Sequence, residues 1–179
     1  QLPQGTTQMT VYTSVEMDST SYFVGGGLNF YDGTAIKNGI FLNSDGTLDT
    51  SFEVTTGFNS VVIDAQKTPD GKLYVAGYFS SFNSLPNTSR IVRFNADKTV
   101  DNTFQGLVSG SNNTISTFYQ LENGKLLIAG SFTQYNNITV NRIARLNDNN
   151  SNYARNKIST TFNVTSLNTL FQFAFAGYY

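Results

Sequence analysis

Two patterns recur in this chain at nearly one interval, and that constrains its fold more than any single motif. The runs Tyr22-Phe-Val-Gly-Gly-Gly-Leu-Asn-Phe-Tyr31, Leu73-Tyr-Val-Ala-Gly-Tyr-Phe-Ser-Ser-Phe82 and Leu126-Leu-Ile-Ala-Gly-Ser-Phe-Thr-Gln-Tyr135 align, which places Gly26, Gly77 and Gly130 at spacings of 51 and 53 residues. Downstream, Phe41-Leu-Asn43, Arg93-Phe-Asn95 and Arg145-Leu-Asn147 align at a spacing of 52. A period of this size marks three copies of one supersecondary unit, each covering its apolar face by stacking on a neighbour. The spacing divides the chain into an N-terminal arm (residues 1–10), units at 11–60, 61–114 and 115–163, and a partial fourth unit or assembly strand at 164–179.

Within each unit the pattern predicts four short strands. Strand a covers residues 11–15, 61–65 and 115–119, and strand b is the aromatic and branched run ending at the repeated glycine. The turns between them carry Asp-Gly at 70–71 and Asn-Gly at 123–124, pairs that tolerate the positive φ of a tight hairpin. Strand c covers residues 39–42, 91–94 and 143–146; a second turn opened by Asn43, Asn95 or Asn147 leads to strand d, closing at Phe52 and Phe104 and later, at Phe162, in the third unit. Strands b and c are apolar almost without alternation, so both sheet faces are covered. No segment keeps a 3.6-residue apolar period. The fold expected is all-β, a β-propeller-like array of three four-stranded blades plus the first strand of a fourth. Gly26, Gly77 and Gly130 are expected at crowded ends of strand b, because a glycine inside a strand marks a bulge or close backbone approach. Leu28, Phe79 and Phe132, two residues further on, are expected in the core.

The run Leu73-Tyr-Val-Ala-Gly-Tyr-Phe, followed by Arg90-Ile-Val-Arg-Phe-Asn and then residues 97–104, resembles the delta-60 repeat of β-propeller proteins, as does Leu42-Asn-Ser-Asp-Gly-Thr-Leu-Asp-Thr-Ser-Phe52. The resemblance spans about residues 10–163. It implies a fold rather than a chemistry, and it implies scaffold or interaction roles in large secreted, cell-surface or virion-associated proteins. The first unit departs from the others, with Asn38 and Phe41 where they have Arg90 and Arg93 or Arg142 and Arg145.

Composition removes most catalytic designs. The chain has no Cys, no His and no Trp. That excludes thiolate nucleophiles, disulfides and the commonest general base and metal ligand. The net charge of −1, with 11 basic residues scattered along the chain, argues against nucleic acid. No apolar run approaches the roughly 20 residues of a membrane span. The loop Asn43-Ser-Asp-Gly-Thr-Leu-Asp49 places oxygen ligands at alternate positions, as calcium loops do, yet reads better as a hairpin turn, since the third copy keeps only Asn147 and Asn149. Glu16, Glu53 and Glu122 are the only glutamates, and most Asp residues lie in turns, so no acid–base pair for glycoside hydrolysis stands out. Neither catalytic residues, nor a cofactor, nor a metal site is expected. Arg93 and Arg145 read as ties from strand c to its following turn, with Asp101 as partner of Arg93. The aromatic ladder of Tyr31, Phe82 and Tyr135, with Tyr22, Tyr74 and Phe79, reads as packing before sugar stacking.

Four blades is about the least a closed propeller uses, so an array of three is incomplete. Leu170, Phe171, Phe173 and Phe175 are too apolar for water and read as an assembly strand that pairs with the N-terminal unit or a neighbouring subunit. Opening at Gln1 without a leader, the chain reads as a processed or truncated product, and sequons at Asn87, Asn112, Asn137, Asn149 and Asn163 would fit a glycosylated exported surface. The expected function is a non-catalytic structural or interaction module of an extracellular assembly, whether fibre, surface layer or virion component. Its partners would be other copies of itself or the rest of a larger repeat protein. A glycan-binding adhesin is the alternative, and a polysaccharide-active enzyme the third reading.

Overall fold

The computed structural model describes residues 9–52, 57–85, 88–105, 110–121 and 124–146. Asn87, Asn147, Asn149, Phe162, Asn163 and the assembly strand with Leu170, Phe171, Phe173 and Phe175 lie outside the described residues. The first unit runs β1 (Thr10–Asp18), β2 (Ser21–Gly27), a small hairpin β3 (Phe30–Tyr31) and β4 (Thr34–Ala35), then β5 (Gly39–Asn43). The second runs β6 (Val62–Lys67), β7 (Leu73–Gly77) and β8 (Ile91–Phe94), followed by one helical turn, α1 (Asn102–Gln105). The third repeats the first: β9 (Ile115–Gln120), β10 (Leu126–Gly130), β11 (Gln134–Tyr135), β12 (Ile138–Thr139) and β13 (Ile143–Leu146). Among the described residues each unit contributes one antiparallel three-stranded sheet with the glycine-ended strand in the middle: β1-β2-β5, β6-β7-β8 and β9-β10-β13.

The repeated glycines sit where strand a carries a bulge. Gly26, Gly77 and Gly130 pair with Val11, Val62 and Ile115, and at each the register slips by one residue. A Cβ at any of them would lie well inside 3.0 Å of a backbone carbonyl oxygen, that of Thr10, Val61 or Thr114. The side chain is absent because the bulged strand occupies its space. Gly77→Ala must displace backbone, not a side-chain tip, and is expected to lower stability by about 1–3 kcal/mol, the usual range for overpacking; a denaturant midpoint equal to wild type would contradict this.

The expected fourth strand is not formed in the first two units, where its residues are largely described. It shrinks to a single bridge, Leu42↔Leu48 and Phe94↔Val100. The cause is local: Asp49 Oδ1 accepts from Ser51 N at 2.9 Å and Asp101 Oδ1 from Thr103 N at 3.0 Å, each also bonding the hydroxyl of the same residue. Such side-chain-to-backbone bonds compete with the ladder, so the chain curls out of the sheet, in the second unit into α1. Phe104 lies on that helix and packs from it.

The three sheets stack, with two cores between them. Phe23, Phe41, Phe52 and Phe58 of the first unit meet Phe79, Phe82 and Phe94 of the second. Tyr74 and Ile91 of the second meet Phe118, Leu126, Phe132 and Tyr135 of the third. Strands β7 and β8, in the sheet that has a neighbour on both sides, are buried at every position, and β6 in the same sheet is buried in part. In β2 and β13 burial is partial, since each outer sheet has one covered face.

Candidate functional site

Polar side chains able to carry chemistry are mostly engaged in closing turns. In the second turn, Asn43 Nδ2 donates to Thr47 Oγ1 at 2.9 Å and Asn95 Nδ2 to Thr99 Oγ1 at 3.0 Å. Asp45 and Asp97 each accept from the backbone N–H and hydroxyl of the threonine two residues on, and those bonds hold their carboxyls below the ordinary range. Asp18 does the same with Thr20 and is held at about 2. The loop from Asn43 to Asp49 is a hairpin turn, as expected, with Gly46 at φ +83°. Among the described residues no cluster of acidic side chains could hold a metal ion.

Two asparagine sets escaped the sequence reading and stitch each unit to the next. Asn59 and Asn112 lie on the segments that enter the second and third units. Asn59 Oδ1 accepts from Ser80 N and Ser81 N, and Asn112 Oδ1 from Thr133 N and Gln134 N. Asn83 and Asn136 return the contact through their Oδ1 atoms to Gly57 N and Gly110 N. Asp32, Asn83 and Asn136 all have positive φ and are followed by a second positive-φ residue, Gly33, Ser84 or Asn137. Two such residues in succession define the tight hairpin turn. A spacing of 53 between Asn59 and Asn112, and again between Asn83 and Asn136, was the available signal.

The two joints differ in character. Across the first, the Lys98 ammonium pairs with the Asp49 carboxylate and lies 5.3 Å from the centre of the Phe41 ring. The second, lined by Tyr74, Ile91, Phe118 and Phe132, has beside it a buried ion pair internal to the second unit. Arg93, where the first unit has Phe41, is buried, bonds Asp101 Oδ2 through Nε at 2.9 Å and Nη2 at 2.8 Å, and reaches Tyr74 Oη at 3.0 Å. Burial would raise the Asp101 carboxyl, but bonds from Thr103 and Lys72 and the charge of Arg93 outweigh it and hold it at about 2. Arg93 is therefore a structural tie. Arg145 is half-buried.

Asp64 does span the second joint, accepting from Thr117 Oγ1 at 2.9 Å and Phe118 N at 3.3 Å. Burial pushes its carboxyl above the usual value, more than those bonds lower it. A raised folded-state pKa means the ionised form opposes folding, a penalty relieved as pH falls through that pKa toward 3.8. Asp64→Asn, which keeps an acceptor without the charge, is expected to raise stability at neutral pH, the gain vanishing near pH 3.8. A gain that persists unchanged at acid pH would disprove the assignment.

Leu28, Phe79 and Phe132 are all buried. Of the aromatic ladder, Tyr74, Phe79, Phe82 and Tyr135 are buried, Tyr31 is half-buried and Tyr22 exposed. Phe30, Tyr78 and Tyr12 are exposed as well. Asn112 is exposed, but its amide serves the stitch described above. Asn137 stands exposed in its turn.

Stacked three-stranded sheets with equivalent bulges, turns and joints define a β-propeller-type repeat protein. Residues 68–104 and 121–150 match the family model of a β-propeller domain of unknown function (DUF5122). No curated protein and no solved structure matches the chain significantly. No helix among the described residues is long and apolar enough to cross a membrane.

Proposed function

We propose that this chain is a non-catalytic structural or interaction module of an extracellular, cell-surface or virion assembly, built from repeats of the delta-60 type. The observation that carries this reading is that, among the described residues, the recurring carboxylates and Arg93 close turns, and Asp49 and Asp64 reach across joints, instead of converging on a cleft. Low charge and a surface rich in Asn, Ser and Thr support it from composition. Incubation with mixed polysaccharides is expected to release no reducing ends, and release that survives purification would overturn the reading. Exposed Phe30 and Tyr78 favour a second reading, a glycan-binding adhesin. On a glycan array a pure scaffold binds nothing specifically, whereas binding lost in Phe30→Ala or Tyr78→Ala would select the adhesin.

A further inference from the structure

The outward face of the first sheet is one half of a joint whose complete form the molecule contains twice. Val11 occupies the place of Val62 and Ile115, each paired with its repeated glycine. Val62 and Ile115 are 0% exposed in the two joints, and Val11 is 57% exposed. Tyr22 is 37% exposed where Leu73 and Leu126 are at 0% and 1%. Leu28, Ile36 and Ile40 gather there into a small core, and Val24, Tyr31 and Leu42, packed against it, are only partly buried. In both complete joints the face that covers these positions is the opposite face of the preceding unit.

The same chain carries that covering face on its third sheet. Leu127 repeats Phe23 and Tyr74, which are at 0% and 1% exposure inside the two joints, and it is only half-buried. Tyr119 repeats Val15, which packs against the first joint's core, and is 52% exposed. Successive side chains of a strand point to opposite faces, so with Phe118 in the second joint Tyr119 points away from it.

We propose that two copies of this chain join head to tail, the outward face of the first sheet of each copy receiving the far face of the third sheet of the other. This rests on the reading of the chain as an assembly module and names its partner. A heterologous contact made twice about a two-fold axis closes into a ring. The described residues of two copies supply six stacked sheets, within the roughly four to eight blades of closed propellers. Closure buries the half-core around Leu28 and the Tyr119 face together, and the occupant repeats a joint that the fold already makes.

Sedimentation velocity of the full chain tests this. Wild type is expected at twice the chain mass at roughly micromolar concentration, the range open to an interface of standard size. Val11→Glu and Tyr119→Glu each change a side chain that is half or more exposed in the single chain, so each variant should keep its circular dichroism spectrum. Either should weaken self-association at least ten-fold. An equimolar mixture of the two variants retains one intact pair of faces and should recover a dimer that neither forms alone. A wild-type monomer, an open polymer that grows with concentration, or disruption by Val11→Glu alone with no effect of Tyr119→Glu would each overturn the proposal. A monomer would leave the scaffold reading standing, whereas polysaccharide cleavage would end that reading without touching the dimer.

Discussion

Phe79→Ala is expected to cost about 3–5 kcal/mol, the usual range for truncating a fully buried phenylalanine. Phe79 is buried between the first two sheets with its ring centre 4.8 Å from that of Phe58, edge to face. Truncation opens a cavity among aromatic rings that are fixed by one another, so collapse is incomplete. In a stacked array stability is roughly a sum of unit and joint terms. The loss should therefore fall on the first joint and separate unfolding of the first sheet from that of the other two in a denaturant titration. Leu28→Ala, at the equivalent position on the outward face, should cost less, toward the lower end of about 2–5 kcal/mol, because its core is only half built. A loss under about 1 kcal/mol for Phe79→Ala would mean that the first joint does not hold the sheets together.

Asp101→Ala is expected to cost a similar amount, about 3–5 kcal/mol, for a different reason: it leaves the Arg93 guanidinium buried without its carboxylate. It also releases Lys72 and the cap on α1. The effect should depend on pH. The folded carboxyl sits at about 2 against 3.8 for the free group, so its contribution is complete above 3.8 and is lost as pH falls through about 2. Wild-type stability should fall over that window and the variant should lack that component. Urea melts at stepped pH check both the size and the window; a variant as stable as wild type at neutral pH would show that the ion pair does not tie β8 to the turn that follows it.

The residues show why some of this was legible in the sequence. Strands a, b and c depend on local pattern: apolar runs broken by Asp-Gly or Asn-Gly, each returning after about 52 residues. Strand d did not follow its pattern, because whether Asp49 and Asp101 extend the ladder or curl the chain depends on a short-range bond from Ser51 or Thr103. The hairpins β3–β4 and β11–β12 escaped the pattern because their strands are only two residues long, too short for an apolar run to mark them even beside Asp32-Gly33.

By itself the sequence determined the all-β class, the period and the sites where backbone crowds backbone, because each follows from side-chain size and spacing along one strand. Only the tertiary structure decided what faces what. Lys98 meets Asp49 although 49 residues separate them, and Asp64 reaches Thr117 across 53. These pairings depend on which sheet lies across a joint, and at such range in the chain only the stacking of whole units brings the groups within bonding distance.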